Sequence, residues 1–219
     1  MSTTRKAIVA GATGLTGGHL LSLLLEDKRY SHVTALVRHQ NLHAHHKLTE
    51  LLMDYDEMPK LPHVDDAYCC LGTTIKKAGS EAAFRKVDFD YVVAFARAAK
   101  LAGAQRFMVI SALGASSKSA IFYSRVKGEM EHALREIGFE AVHIFQPSLI
   151  LGERKEARAA ERISIAAFNM FGWMMVGALQ KYKAIESETI AKAMIHSAFS
   201  TAHGVRTHPS DKIEAMAKD

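Results

Sequence analysis

Three glycines at a fixed spacing near the amino terminus constrain the fold more than any other feature. The run V-A-G-A-T-G-L-T-G-G, from Val9 to Gly18, places Gly11, Gly14 and Gly17 between an apolar stretch and a helical stretch. Glycine permits a tight turn and a close approach of the backbone to a bound group. The helix N-terminus adds unpaired N–H groups that favour an anion. The pattern predicts a dinucleotide-binding strand–turn–helix unit, because an unliganded turn explains one of these glycines but not all three.

Short apolar stretches alternate with longer helical ones as far as Gln146. Such alternation is typical of a parallel sheet with helices on both faces, so we expect an α/β, Rossmann-type doubly wound fold. The predicted strands are Lys6–Ala10, His32–Arg38, Lys47–Met53, Ala67–Leu71, Arg106–Ser111 and Glu140–Phe145. The predicted helices run from about Gly14 to Leu25, from Phe84 to Leu101 and from Tyr123 to Ile137.

The length of 219 residues fits a single domain, 1–219, with residues 1–146 as the Rossmann core. Residues 147–219 are expected to form a small substrate cap and a final strand and helix. The cap contains an uncharged stretch, Ile163–Gln180, whose length alone could suit a membrane helix. Glycines and polar residues dilute it, which favours a hairpin over the cleft, with peripheral membrane contact as a lesser alternative. Its Met and aromatic residues fit a substrate pocket, core packing or a dimer surface equally well.

Charge and cysteine content limit the partners and the compartment. The net charge of +5 is mild, and no run of five like charges occurs, so nucleic-acid binding is not expected. The two cysteines, Cys69 and Cys70, are adjacent in a predicted strand, where neighbouring side chains face opposite ways and a disulfide is improbable. Together with the absence of a secretory signal, this predicts a cytoplasmic protein. The chain is expected to be a monomer or a homodimer.

Arg38 ends the second predicted strand, at the position that reads the adenosine ribose in dinucleotide-binding folds. An acidic residue there favours NAD, whereas a basic residue suits the 2′-phosphate of NADP. Arginine presents a fork of N–H groups that matches phosphate. We therefore favour NADP(H) over NAD(H), with a solvated arginine at a strand end as the alternative.

A serine, a tyrosine and a lysine follow in an order that suits proton transfer. Ser111 ends the fifth predicted strand, and Tyr123 and Lys127 lie four residues apart on a predicted helix, which puts them on one face. The Lys127 charge would lower the pKa of Tyr123, so that Tyr123 exchanges a proton with a carbonyl or alcohol oxygen. Ser111 would hydrogen-bond the same oxygen. The simpler alternative is an amphipathic helix with a solvated lysine.

These motifs together resemble the atypical short-chain dehydrogenase/reductases, and within them the Tat-interacting-protein-like oxidoreductases. The resemblance covers residues 6 to about 152, some two thirds of the chain. It is carried by Gly11-Ala-Thr-Gly-Leu-Thr-Gly17, Cys70-Leu-Gly-Thr-Thr74, Lys77-Ala-Gly-Ser80, Ser111, Tyr123-Ser-Arg-Val-Lys127-Gly-Glu129 and Gln146-Pro-Ser-Leu-Ile-Leu-Gly152.

The resemblance implies NADP(H) binding and a Ser111–Tyr123–Lys127 triad. It further implies that Leu71, Gly72 and Thr73 lie along the cofactor and that Pro147 and Ser148 approach its nicotinamide side. The residues expected to bind the cofactor are Gly11, Ala12, Thr13, Gly14, Leu15, Thr16, Gly17, Arg38, Leu71, Gly72, Thr73, Tyr123, Lys127, Pro147 and Ser148. Asp88 stands where many relatives carry Asn, and Gln146 where Arg is common.

Two function classes follow from these residues. The first is an NADP(H)-dependent oxidoreductase that acts on a small carbonyl or alcohol. The second is an NADP(H)-binding regulatory or interaction protein with little turnover. A nucleotide-sugar epimerase is disfavoured, because such relatives usually carry a larger carboxyl-terminal domain. No metal site is expected: His43, His45 and His46 lie in a predicted loop with no cysteine or acidic ligand at zinc-site spacing.

Overall fold

A computed structural model describes residues 4–40, 42–152 and 183–218 of the chain. Its main feature is a seven-stranded sheet in which every neighbouring pair of strands is parallel. The strand order is β3-β2-β1-β4-β5-β6-β9. The strands are β1 Arg5–Ala10, β2 Tyr30–Val37, β3 Leu48–Leu52, β4 Asp66–Cys69, β5 Arg106–Ile110, β6 Ala141–Gln146 and β9 Gly204–Pro209. Two short strands, β7 Ile150–Leu151 and β8 Ile185–Glu186, form a separate parallel pair.

Helices connect the strands and cover both faces of the sheet. They are α1 Leu15–Glu26, α2 Ile75–Ala78, α3 Glu81–Arg85, α4 Tyr91–Leu101, α5 Phe122–Arg135, α6 Ser187–Ala198 and α7 Ser210–Met216. A π-helical turn, Lys86–Asp90, joins α3 to α4 without a break. The predicted helix Phe84–Leu101 therefore corresponds to a longer helical segment with a wider turn near its start.

The two faces of the central strands build two separate cores. Val9 faces α1, α6 and α7, whereas the adjacent Ile8 faces α4 and α5, and both are fully buried. Leu20 and Met194 fill the first core, and Phe95 fills the second. Each fully buried side chain of this size stabilises the fold by about 1.5–3 kcal/mol. The double coverage explains why these strands consist of unbroken apolar runs rather than of alternating residues.

The predicted fold class is confirmed, with small shifts at the strand ends. β4 ends at Cys69 rather than at Leu71, because the backbone leaves the ladder after Cys70, whose N–H still bonds the Ala10 carbonyl. Gly103 and Gly138 follow helices with φ of 100° and 82°, a conformation that favours glycine, at the positions where the sequence predicts that helices stop.

Among the described carboxyl-terminal residues, 183–218, one strand joins the main sheet and two helices pack beside it. β9 extends the sheet next to β6, and α6 packs against α1. The predicted hairpin Ile163–Gln180 lies outside the described residues. Within the described ranges no helix is long and apolar enough to cross a membrane.

Candidate functional site

The carboxyl ends of β1, β4, β5 and β6 meet at one edge of the sheet, and the predicted site residues gather there. Gly11 follows β1, Leu71 comes shortly after β4, Ser111 follows β5, and Pro147 follows β6. In a doubly wound fold this edge is where ligands bind.

The glycine loop leaves no room for side chains at two of its positions. Gly11 adopts φ 81°, and a Cβ there would lie 2.6 Å from the Cys70 carbonyl oxygen. A Cβ on Gly17 would lie 2.0 Å from the Gly11 carbonyl oxygen. Gly14 caps the N-terminus of α1, and its N–H donates to the Gly11 carbonyl at 3.0 Å. The loop is therefore a tight backbone turn that points the start of α1 toward the ligand edge.

The other predicted residues of this loop differ in their exposure. Ala12 and Thr16 are buried beneath the turn, whereas Thr13 is exposed and Leu15 is half-buried. A Cβ on Gly152 would lie 2.9 Å from Leu15 Cδ1, so the segment after β7 closes on the start of α1. The turn thus presents its backbone and Thr13 to the outside and anchors itself through Ala12 and Thr16.

A buried ion pair connects the loop after β4 to α5. Lys127 Nζ lies 2.7 Å from Asp88 Oδ1, and the two side chains are only 5% and 1% exposed. The other Asp88 oxygen accepts the Thr73 backbone N–H at 2.9 Å. A Cβ on Gly72 would lie 3.4 Å from Asp88 Oδ1 and 3.9 Å from Lys127 Nζ. Gly72 therefore lies close to Lys127, and Asp88 connects Thr73 to Lys127.

Lys127 stays a cation despite its burial. Burial lowers the pKa of Lys127, but attraction to Asp88 and Tyr123, with the Asp88 hydrogen bond, outweighs it, so the net pKa lies above its ordinary value. Tyr123 is half-buried one helical turn away, with its ring 5.4 Å from that of Phe84. The described geometry thus brings Tyr123 and a permanent positive charge together on one face of α5.

Ser111 is buried and forms a hydrogen bond that the sequence did not predict. Its Oγ donates to Glu131 Oε1, which also accepts from Gln146 Nε2 at 2.8 Å. Glu131 comes one turn after Lys127 on α5 and is 6% exposed. The spacing Tyr123, Lys127, Glu131 at i, i+4 and i+8 is the sequence signal that could have identified Glu131.

Arg38 lies immediately after β2 and is exposed. Its charge reaches Tyr55, a buried residue beside the glycine loop. Burial, the largest cause, raises the pKa of Tyr55, and the Gly11 backbone and the Arg38 charge act in the opposite direction. The positive charge of Arg38 therefore acts on Tyr55, a side chain next to the glycine loop.

Pro147 and Ser148 lie on the β6 side of the same edge. The Pro147 carbonyl accepts the Leu113 N–H at 2.9 Å, and the Ser148 N–H donates to Ser210 Oγ at 3.0 Å. Ser148 Oγ donates to the Lys183 carbonyl. These contacts hold the segment after β6 against the final helix.

The two cysteines, Cys69 and Cys70, lie in surroundings that suit packing rather than reactivity. Cys69 is fully buried, and burial raises its pKa to about 12, which is far from a reactive thiolate at neutral pH. Burial also raises the pKa of Cys70. In the part of the chain that the structure describes, no group of three or more His, Cys, Asp or Glu residues could hold a metal ion.

The parallel sheet, the glycine turn and the gathered loops define a Rossmann-type dinucleotide-binding protein. A family model described as NAD(P)H-binding matches residues 11–162, which is more than half of the chain. The chain therefore belongs to the NAD(P)H-binding family.

Two groups of curated relatives confirm the resemblance found in the sequence. The rat protein named Protein HTATIP2 is 31% identical over 207 residues, covering 91% of this chain and 84% of its own length. Protein fmp52, mitochondrial, from Emericella nidulans is 30% identical over 213 residues, covering 93% of this chain and 91% of its own length. Neither name states an activity.

Solved structures with the same fold include a complex with NADPH and a complex with NAD. Human epimerase family protein SDR39U1 with NADPH has a TM-score of 0.64 at 17% identity and covers 93% of this chain and 74% of that one. MoeE5 with UDP-glucose and NAD has a TM-score of 0.69 at 13% identity and covers 97% and 80%. At this identity the likeness concerns the fold alone.

Proposed function

We propose that this protein is an NADP(H)-dependent oxidoreductase that transfers hydride between the cofactor and a small carbonyl or alcohol. One observation carries the proposal. Lys127 is buried beside the Gly72 loop, and its charge acts on Tyr123 one turn away on the same helix. A buried lysine next to a half-buried tyrosine suits proton transfer to an oxygen at this edge.

The residues at the edge fit a dinucleotide. The turn at Gly11 and Gly17 is too tight for a Cβ, and the start of α1 supplies N–H groups for a pyrophosphate. The loop from Leu71 to Thr73 and the Pro147–Ser148 segment would flank the rest of the cofactor. When bound, the nicotinamide supplies or accepts the hydride.

Tyr123 is the proposed acid and base. Its hydroxyl gives a proton to a carbonyl oxygen in reduction and takes one from an alcohol in oxidation. Lys127 remains protonated, because the Asp88 carboxylate keeps its pKa high, and its positive charge interacts with Tyr123. Ser111, the third proposed catalytic residue, contacts the same reacting oxygen.

Arg38 supports the preference for NADP(H). Its exposed guanidinium follows β2 and acts on the surroundings of the glycine loop, where the adenosine end of the cofactor would lie. A 2′-phosphate there would gain a charge-assisted, bidentate partner. A cytoplasmic location, and a monomer or a homodimer, stay predictions.

The test is NADPH oxidation with a panel of carbonyl compounds that includes phenanthrenequinone. We expect turnover by the wild type and a loss of about 100-fold or more in kcat for Tyr123→Phe, with NADPH affinity unchanged within about twofold. Tyr91→Phe is the matched control, because its hydroxyl bonds the exposed Asp56 instead. Full activity of Tyr123→Phe would refute its role. Tight NADPH binding without turnover on any carbonyl would support the alternative of a cofactor-binding regulatory protein.

A further inference from the structure

A buried hydrogen-bond network lies directly behind Ser111. Ser111 Oγ donates to Glu131 Oε1, and Gln146 Nε2 donates to the same oxygen. Ser111 is 4% exposed and Glu131 is 6% exposed. The network joins the ends of β5 and β6 to α5, so that three elements fix the position of the Ser111 hydroxyl.

The charge of Glu131 has no cation partner in this network. Among residues 4–40, 42–152 and 183–218, no lysine, arginine or histidine forms an ion pair with Glu131. Lys127, one turn before it, pairs with Asp88 instead. A buried carboxylate depends on its hydrogen-bond donors, and here the donors are the Ser111 hydroxyl and the Gln146 amide.

The bond to Glu131 limits the positions that the Ser111 hydroxyl can take. A serine hydroxyl can donate and accept, whereas the Glu131 oxygen accepts from it. Because Gln146 donates to the same Glu131 oxygen, this oxygen is itself held in place. The Ser111 oxygen is therefore held at the ligand edge.

We propose that Glu131 is a positioning residue that holds the Ser111 hydroxyl where it contacts the reacting oxygen. This inference rests on the proposed oxidoreductase function and adds a fourth residue to its site. Glu131 acts through Ser111 and touches neither the cofactor nor the substrate. Gln146 supports Glu131 by donating to the same oxygen.

The experiment measures NADPH-dependent reduction of phenanthrenequinone by a set of variants, with NADPH affinity measured separately by fluorescence titration. Glu131→Ala removes the acceptor and is expected to lower kcat about tenfold or more, the loss that follows from breaking a charge-assisted hydrogen bond. Glu131→Gln keeps an acceptor oxygen and is expected to recover most of that loss. NADPH affinity should stay within about twofold of the wild type in both variants.

Two further comparisons separate positioning from a general structural effect. In a Ser111→Ala background, Glu131→Gln and Glu131→Ala should lower kcat no further, because the group through which Glu131 acts is gone. Glu129→Gln is the matched control on the same helix, since Glu129 pairs with Arg85 on the surface, and it should leave kcat unchanged.

Equal kcat in the wild type and Glu131→Ala would overturn the inference alone, as would losses that multiply in the Ser111→Ala background. Absence of turnover in the wild type would instead overturn the proposed function, and the role of Glu131 with it. If Glu131→Ala does not fold, Glu131→Met, which keeps the side-chain volume but has no acceptor oxygen, replaces it in both backgrounds and gives the same decision.

Discussion

The buried pair of Asp88 and Lys127 should stabilise the fold as a unit rather than as two separate side chains. With side chains 1% and 5% exposed and 2.7 Å between the charged atoms, neither group has water as a substitute partner. Removing one partner of a buried pair leaves an uncompensated charge and costs about 3–5 kcal/mol. We expect a loss of this size in the free energy of unfolding for Asp88→Asn and for Lys127→Met.

The double variant should lose much less than the sum of the two single losses. With both charges removed, no buried ion lacks its partner, and replacement of a whole buried pair by neutral groups is often close to neutral in stability. The Asn side chain also keeps an acceptor oxygen for the Thr73 N–H. We therefore expect a coupling free energy of at least about 2 kcal/mol between the two sites.

Urea unfolding of the four proteins at neutral pH, followed by circular dichroism, measures this coupling. The exposed pair of Glu188 and Lys192 on α6, with 2.8 Å between its charged atoms, is the control. The corresponding cycle of Glu188→Gln and Lys192→Met should give no more than about 0.5 kcal/mol, as exposed pairs at i, i+4 do. A coupling below about 1 kcal/mol at Asp88 and Lys127 would contradict the reasoning, since it would mean that burial does not strengthen the pair.

Three other predictions follow from the described geometry. Burial lowers the pKa of His143 to about 4. The unfolded chain therefore binds more protons than the folded one as the pH falls from 6.5 to about 4, and His143 should remove about 3 kcal/mol of stability over this range. Its partner His208, whose pKa burial also lowers to about 4, adds to the fall. Urea midpoints that fall equally in His143→Gln would contradict this. Gly17→Ala should destabilise the protein by about 2 kcal/mol in urea unfolding, because its Cβ meets the Gly11 carbonyl, whereas Gly18→Ala, with 3.8 Å to its nearest neighbour, should not. Arg38→Ala should weaken NADPH binding at least tenfold and NADH binding little, and equal losses in the two titrations would refute the 2′-phosphate role.

The fold and the cofactor edge were predictable because they depend on local patterns. Glycine spacing, apolar runs and the order of strands and helices are all written within short stretches, and the family match to residues 11–162 agrees with them. The same holds for Tyr123 and Lys127, since four residues along a helix fix their relation without any knowledge of the tertiary structure.

Partners that meet only through tertiary packing were not predictable. Asp88 contacts Lys127 because a π-helical turn and α5 dock side by side, and no local pattern indicates this contact. The helical spacing of Glu131 puts it on the face of Tyr123 and Lys127, but its bonds to Ser111 and Gln146 depend on how β5 and β6 pack against α5. The wider turn within Lys86–Asp90 has no clear local signal either, because its residues are compatible with a regular α-helix.

The bridge that Asp88 makes between Thr73 and Lys127 also restricts how this chain can be recombined with its relatives. The two partners belong to different segments of the chain, and the carboxylate of Asp88 in a third segment joins them. A chimera that takes α5 from one parent and the π-helical turn from another keeps the site neutral only if the two exchanged residues match in charge. A crossover point between Asp88 and Lys127 can therefore leave a hybrid of two folding parents with one buried charge that lacks its partner.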